Sequence, residues 1–247
     1  MTLRALITND DGVDAQGIHV LTEVALAAGL DVTVAAPHEN RSGTGSMLSA
    51  LEQGGRLLYD RVEVAGVKAF AVHASPAMIA FVGVRGAFGD VPDIVLSGVN
   101  HGANTGQAVI HSGTVGAALT AANHGVPGLA LSVDGWPPQH WDTVRAETPR
   151  VLRWFAEARA GLFAVNVNIP DRPLDQVRGP KPAGFADFGV VQAEIGDPGE
   201  GFVTMAFREP GEHAGPGSDL ALLRQGWTTV TAMRQPIVAE PALPPGL

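Results

Sequence analysis

Cysteine is absent from the 247 residues, which excludes disulfides and thiolate metal ligands. Long apolar runs are missing too, and none reaches the roughly 20 residues that span a bilayer. The first residues, MTLRALITNDD, hold no long apolar stretch followed by a cleavage site. These readings lead us to expect a soluble cytoplasmic protein with no membrane partner. Basic clusters are also lacking. Against 25 acidic residues stand 16 basic ones, a formal charge of −9. A nucleic-acid polymer is therefore not an expected partner, because such polymers are held largely by lysine and arginine on phosphates. A small phosphorylated ligand stays open, since one phosphate needs only a metal and a few backbone amides.

What is present is a chain that is 45% hydrophobic, long enough for a large α/β domain with a substantial core. Leu3 to Thr8 is short, continuous and apolar, the pattern of a strand buried on both faces. Ile18, Leu21, Ala25 and Ala28 follow at helical spacing, which predicts a helix over 15–28 with Gly29 as its stop and Asp14 as its N-cap. Val32 to Ala36 is the next strand. A loop over 40–55, a hairpin over 62–72 broken at Ala65-Gly66, and a short helix over 76–84 come next. A strand over 94–96, a glycine-rich loop, a helix over 114–123, a strand over 129–132, a helix over 141–158 and a strand over 163–167 complete a Rossmann-like core at residues 1–170. That core is a mostly parallel sheet with helices on both faces. Past Pro170, proline and glycine become frequent and helical periodicity stops. Short strand-like pieces at 190–194, 202–207 and 228–232 make residues 171–247 a β-rich extension, suited to hairpins or subunit contact.

Chemistry concentrates at strand ends. Asp10 and Asp11 are adjacent, and neighbouring side chains of a strand point to opposite faces. They converge only where the strand has ended and the backbone turns, which Gly12 permits. An isolated Asp-Asp-Gly is most simply a turn. Its place after a buried strand, with two more polar glycine-rich loops at 40–46 and 97–114, points instead to a ligand crevice. Those loops add Ser42, Asn100 and Asn104. Two carboxylates with neutral oxygens and no sulfur suit a hard cation such as Mg²⁺ or Mn²⁺. Ser112, Gly113 and Thr114 open a helix, where free amides and the helix dipole favour a phosphate, although Ser112 as an ordinary cap explains the same residues. His111 beside them is a candidate proton donor, against the commoner structural role of a lone histidine.

With these residues in view, the chain resembles the SurE family of metal-dependent 5′/3′-nucleotidases, also called survival or acid phosphatases. The likeness rests on "TNDDGVDAQGI", "APHENRSGTGS", "PDIVLSGVNHGANTG", "SGTVGAAL" and "VNVNIP", with a weaker match at "SDLALLRQGWTTVT". It implies that Asp10, Asp11, Ser42 and Asn100 bind a divalent metal, and that a C-terminal β-extension exchanges between subunits of a dimer or tetramer. There are departures. Met78 stands where the family carries an acid, Thr120 where it carries a glutamate, His111 for a tyrosine, and Gln107-Ala108 for an acidic pair.

The expected activity is that of a divalent-metal-dependent phosphomonoesterase acting on nucleoside monophosphates. Asp10 and Asp11 would hold the metal and orient the attacking water, while Asn104 and Ser112 to Thr114 would receive the phosphate. One alternative is a phosphatase for a sugar phosphate or biosynthetic intermediate, because the departures leave the surroundings less negative and are expected to weaken ribonucleotide binding. The other is a non-catalytic metal- or nucleotide-binding protein.

Overall fold

The computed structural model describes residues 2–158, 164–187, 192–199, 202–208 and 214–233. In chain order the elements are β1 (Arg4–Thr8), α1 (Gln16–Ala27), β2 (Asp31–Pro37), β3 (Glu52–Gln53), β4 (Arg56–Leu57), β5 (Tyr59–Val64), β6 (Val67–Val72) and α2 (Pro76–Gly83). They continue with β7 (Ile94–His101), α3 (Gly113–Asn123), β8 (Gly128–Asp134), α4 (Trp141–Ala158), β9 (Ala164–Pro170), β10 (Pro180–Pro182), β11 (Gln192–Gly199), β12 (Phe202–Arg208), α5 (Asp219–Arg224) and β13 (Thr228–Met233).

Nine strands form one sheet in the order β10-β13-β9-β8-β7-β1-β2-β6-β5. From β9 to β6 every neighbour pair is parallel, while β5 runs antiparallel to β6 and β13 antiparallel to β9. Side-chain alternation explains the unbroken apolar sequence of β1. Ala5 and Ile7 join a buried cluster with Ile18 and Leu21 of α1 and Leu152 and Phe155 of α4. Leu6 joins the opposite cluster, with Ile79 of α2 and Ala117 and Ala121 of α3. The sheet is covered on both faces, so both sets of positions must be apolar.

From β1 the sheet grows one way through β2 and β6, and the other way through β7, β8 and β9. The order reverses between β1 and β7. A ligand crevice is expected outside the carboxyl ends of strands at such a point.

Two expectations are corrected. Asp14 is exposed and does not cap α1; Ala15 occupies the N-cap with no side-chain hydrogen bond, and the helix starts at Gln16. The strand expected over 94–96 runs on to His101, through residues assigned to the loop. After an irregularity between Ser97 and Asn100, Asn100 and His101 pair with Ser132 and Val133 of β8. Polar and glycine residues mimic a loop there, but Ser97, Asn100 and His101 are laddered to β8.

Past Pro170 the chain divides. β10, α5 and β13 build onto the main sheet beside β9, whereas β11 and β12 form their own two-stranded sheet. Val190, assigned to a strand from sequence, lies outside the described residues. Among the described residues no helix is long and apolar enough to cross a membrane.

Candidate metal and phosphate site

Asp10 and Asp11 leave β1 on a turn clamped from within by Asn9. The Asn9 side-chain amide donates to the Gly12 carbonyl at 2.7 Å, and the Gly12 amide donates back to Asn9 Oδ1 at 3.3 Å. Gly12 has φ +105°, in the region closed to most residues, so this reversal requires glycine.

Neighbouring elements then hold both aspartates by hydrogen bonds. The Thr114 hydroxyl at the start of α3 donates to Asp10 Oδ1. The His101 amide at the end of β7 donates to Asp11 Oδ2 at 3.2 Å. The Asp10 and Thr114 amides also hydrogen-bond to the Asp10 carboxylate. α3 reaches Asp10 this closely because residue 113 is glycine, where an added Cβ would sit 2.8 Å from both Cβ and Oδ2 of Asp10.

Burial governs the electrostatics. Asp10 is only 3% exposed. Desolvation pushes its carboxyl up to about 6, the Thr114 hydroxyl pulls it back, and the Asp11 charge adds to the rise. Asp11 is also pushed up to about 6, by desolvation, with the His101 amide opposing. Two buried carboxyls whose ionisation desolvation opposes are a pair whose charge a cation would compensate.

The 40–46 loop is tied to both sides of this pair. The Arg41 amide donates to the Asp10 carbonyl at 2.7 Å, and the Gly45 amide to the His111 carbonyl at 3.1 Å. Ser42 therefore follows directly on a residue bonded to Asp10. It is exposed, and its own amide donates to Asn40 Oδ1 at 2.9 Å. Asn100 spends its amide nitrogen on the His101 and Gly102 carbonyls at 3.2 and 2.7 Å. Its oxygen is what remains for a cation. Among the described residues no three histidine or acidic side chains gather into a metal cluster. The donor set has two carboxylates, with a hydroxyl and an amide oxygen beside them. Such oxygens fit Mg²⁺ or Mn²⁺.

The remaining expected residues divide by position. Ser112 caps α3, its hydroxyl accepting from the Val115 amide at 3.1 Å. Thr114 spends its hydroxyl on Asp10, so of the three residues at this helix start Thr114 positions a carboxylate. Asn104 is clamped: its amide donates to Asn168 Oδ1 at 2.7 Å and its side chain to Ser132 Oγ at 2.9 Å. Its carbonyl accepts from Asn166 and Asn168 at 2.8 and 2.9 Å. The two asparagines of VNVNIP thus brace the glycine-rich loop. His111 is exposed and contributes its carbonyl.

Sequence reading passed over two residues. Asp219 of α5 is fully buried, and its Oδ2 accepts from the Gly106 amide at 2.9 Å while Oδ1 accepts from Ala186 and Leu220. It pins the far end of the 102–106 loop, and its signal was the SDLALL segment. Trp136, just past β8, is 74% exposed beside Gly102. Nothing in its local sequence marks it.

Comparison with known proteins shows what this chain is similar to. A family model described as "Survival protein SurE" matches residues 5–189. A 5′/3′-nucleotidase SurE of Shigella dysenteriae serotype 1 is 36% identical over 249 residues, covering 97% of this chain and 93% of the relative. One from Klebsiella pneumoniae is 35% identical over 246 residues with the same coverage. Among solved structures, the SurE protein of Aquifex aeolicus superposes with TM-score 0.77 at 27% identity, covering 93% of this chain and 92% of its own.

Proposed function

Since this chain belongs to the SurE family, we propose that it is a divalent-metal-dependent 5′/3′-nucleotidase releasing phosphate from nucleoside monophosphates. The observation that carries this reading is the pair of desolvated, hydrogen-bonded carboxylates at the β1/β7 reversal. Asp10, Asp11, Ser42 and Asn100 would hold the cation. A divalent cation there would supply Lewis acidity and lower the pKa of a bound water.

The chain's own groups do the rest. Thr114 and the His101 amide hold the two carboxylates in orientation. The positive end of the α3 dipole would favour the phosphoryl charge beside the carboxylates. Asp10 and Asp11 orient the attacking water and hold the charge that opposes the cation.

Two departures from the family pattern are absorbed away from this site, which supports the nucleotide reading over a different ester. Met78 packs against the apolar cluster around Leu6 and Ala117. Thr120 lies six residues beyond Thr114 and returns its hydroxyl to the Gly116 carbonyl at 2.7 Å within its own helix. Chelation provides the test. EDTA is expected to abolish phosphate release from AMP and GMP, with Mg²⁺ or Mn²⁺ restoring it. Full activity in thoroughly metal-free protein would remove the metal from the mechanism, and a faster turnover of sugar phosphates than of any nucleotide would remove the substrate.

The assembly we propose is a homodimer or homotetramer joined through the 171–247 extension. The β11-β12 hairpin supports this, because a two-stranded sheet is marginal alone and its edges invite another subunit. Sedimentation of the full chain is expected to show at least a dimer. A monomer at micromolar concentration would overturn it.

A further inference from the structure

Trp136 is the most exposed large apolar side chain among the described residues, at 74%. Its position sets it apart from a casually exposed one. It follows the carboxyl end of β8, and β8 lies beside β7, which lies beside β1. At about 4.8 Å per strand, the end of β8 lies roughly 10 Å across the sheet from the end of β1. Contacts link the two places. The Trp136 ring lies 6.4 Å from the His101 ring in an edge-on arrangement, and the His101 amide is the donor to Asp11. Its Cε3 lies 3.5 Å from where a Cβ on Gly102 would be.

Hydrogen bonds anchor the loop that carries Trp136. The Asp171 carboxylate accepts from the Gln139 amide at 2.9 Å and from the His140 amide at 2.7 Å. His140 Nδ1 lies 3.1 Å from the same group. The Gly135 and Gly102 amides both donate to the Val133 carbonyl at 2.9 Å, so the Trp136 loop and the metal loop share one anchor. A largely exposed indole beside a candidate phosphate-ester crevice offers a flat face to a flat ligand.

We propose that Trp136 is a specificity-determining residue on which the purine or pyrimidine ring of the substrate stacks while its phosphate lies at Asp10 and Asp11. This deepens the nucleotidase reading and rests on it. A ribose separates phosphate from base, which matches a stacking surface two strands away from the metal carboxylates. Every base has a π-face, so the platform selects nucleotides over base-free esters and discriminates weakly among bases.

The experiment compares wild type with Trp136→Ala and Trp136→Phe on AMP and on ribose 5-phosphate under one metal condition. The side chain is exposed, so both variants are expected to fold, which circular dichroism checks. In Trp136→Ala the ratio of kcat/KM for AMP to that for ribose 5-phosphate is expected to fall about 5- to 150-fold, mostly through KM. Trp136→Phe recovers most of it. Adenosine alone should quench the tryptophan fluorescence of wild type and lose that effect in Trp136→Ala. If wild type prefers AMP and the variant keeps the ratio, the platform is overturned and the nucleotidase reading stands. If wild type shows no preference for AMP, both fall. An equal loss on both esters, or a change of oligomeric state in the variant, assigns Trp136 to structure or subunit contact and overturns the platform.

Discussion

Asp10→Asn is expected to cut phosphate release by about 10³-fold while the protein stays folded. Asparagine keeps the shape of aspartate, and its carbonyl oxygen can still accept the Thr114 hydroxyl. What disappears is one of the two charges facing the cation. Lewis-acid stabilisation of a phosphoryl transition state is worth several kcal/mol, and about 1.4 kcal/mol corresponds to a factor of ten. Loss of most of that stabilisation gives the estimate. Folding should survive because a buried carboxylate that resists ionisation is itself a burden at neutral pH. Turnover and circular dichroism measured on one preparation separate the outcomes. Unchanged turnover would take Asp10 out of the site, and loss of the folded signal would make its role structural. Thr114→Val, which keeps volume and removes the hydroxyl, is a milder change in the same place. It should weaken metal binding by roughly 10- to 100-fold, as loss of a group that orients a ligand does.

The sequence displayed the two carboxylates because local rules determine them. An apolar run must be a buried strand, and Asp-Asp-Gly at its end must turn. α4 was legible to its ends, Trp141 and Ala158, since a long amphipathic pattern leaves little choice. Asp14 misled because a carboxylate before a helix commonly caps it, whereas here the turn bonded by Asn9 and Gly12 leaves it in solvent. Residues 97–101 misled in the opposite direction, since their polarity hides a strand held by β8. Asp219 could not have been linked to the site, because its bond to Gly106 spans 113 positions. The same holds for Asn166 and Asn168. They are recognisable as a motif, but their hold on Asn104 exists only once β9 is placed beside β8. Local chemistry can be read along the chain; the bracing of one loop by a distant strand has no local signal.

Without metal, the protein is expected to lose stability as pH rises from about 4 to about 7, the reverse of the usual response of a carboxylate. Asp10 and Asp11 rise from 3.8 to about 6 on folding. Between those values the native state keeps protons that the unfolded chain releases, so the free energy of unfolding falls with rising pH and levels off above about 6. Burial lowers the pKa of the His101 ring, so below 6.5 its contribution runs in the opposite sense and partly offsets this. For Asp10, which is 3% exposed, the rise corresponds to about 3 kcal/mol at 1.4 kcal/mol per unit. At 2–4 °C per kcal/mol for a chain of this size, that is roughly 6–12 °C in Tm. Other acids titrate over the same range, so the informative quantity is the Tm of chelated wild type minus that of chelated Asp10→Asn. This difference should become more negative by that amount between pH 4 and pH 7. Saturating Mn²⁺ should then raise the wild-type Tm strongly at pH 7 and weakly at pH 5, because the cation must displace protons at the lower pH. Parallel pH profiles for the two chelated proteins, or a metal effect of equal size at both pH values, would show that the Asp10 and Asp11 carboxyls are not the groups that couple stability to the cation.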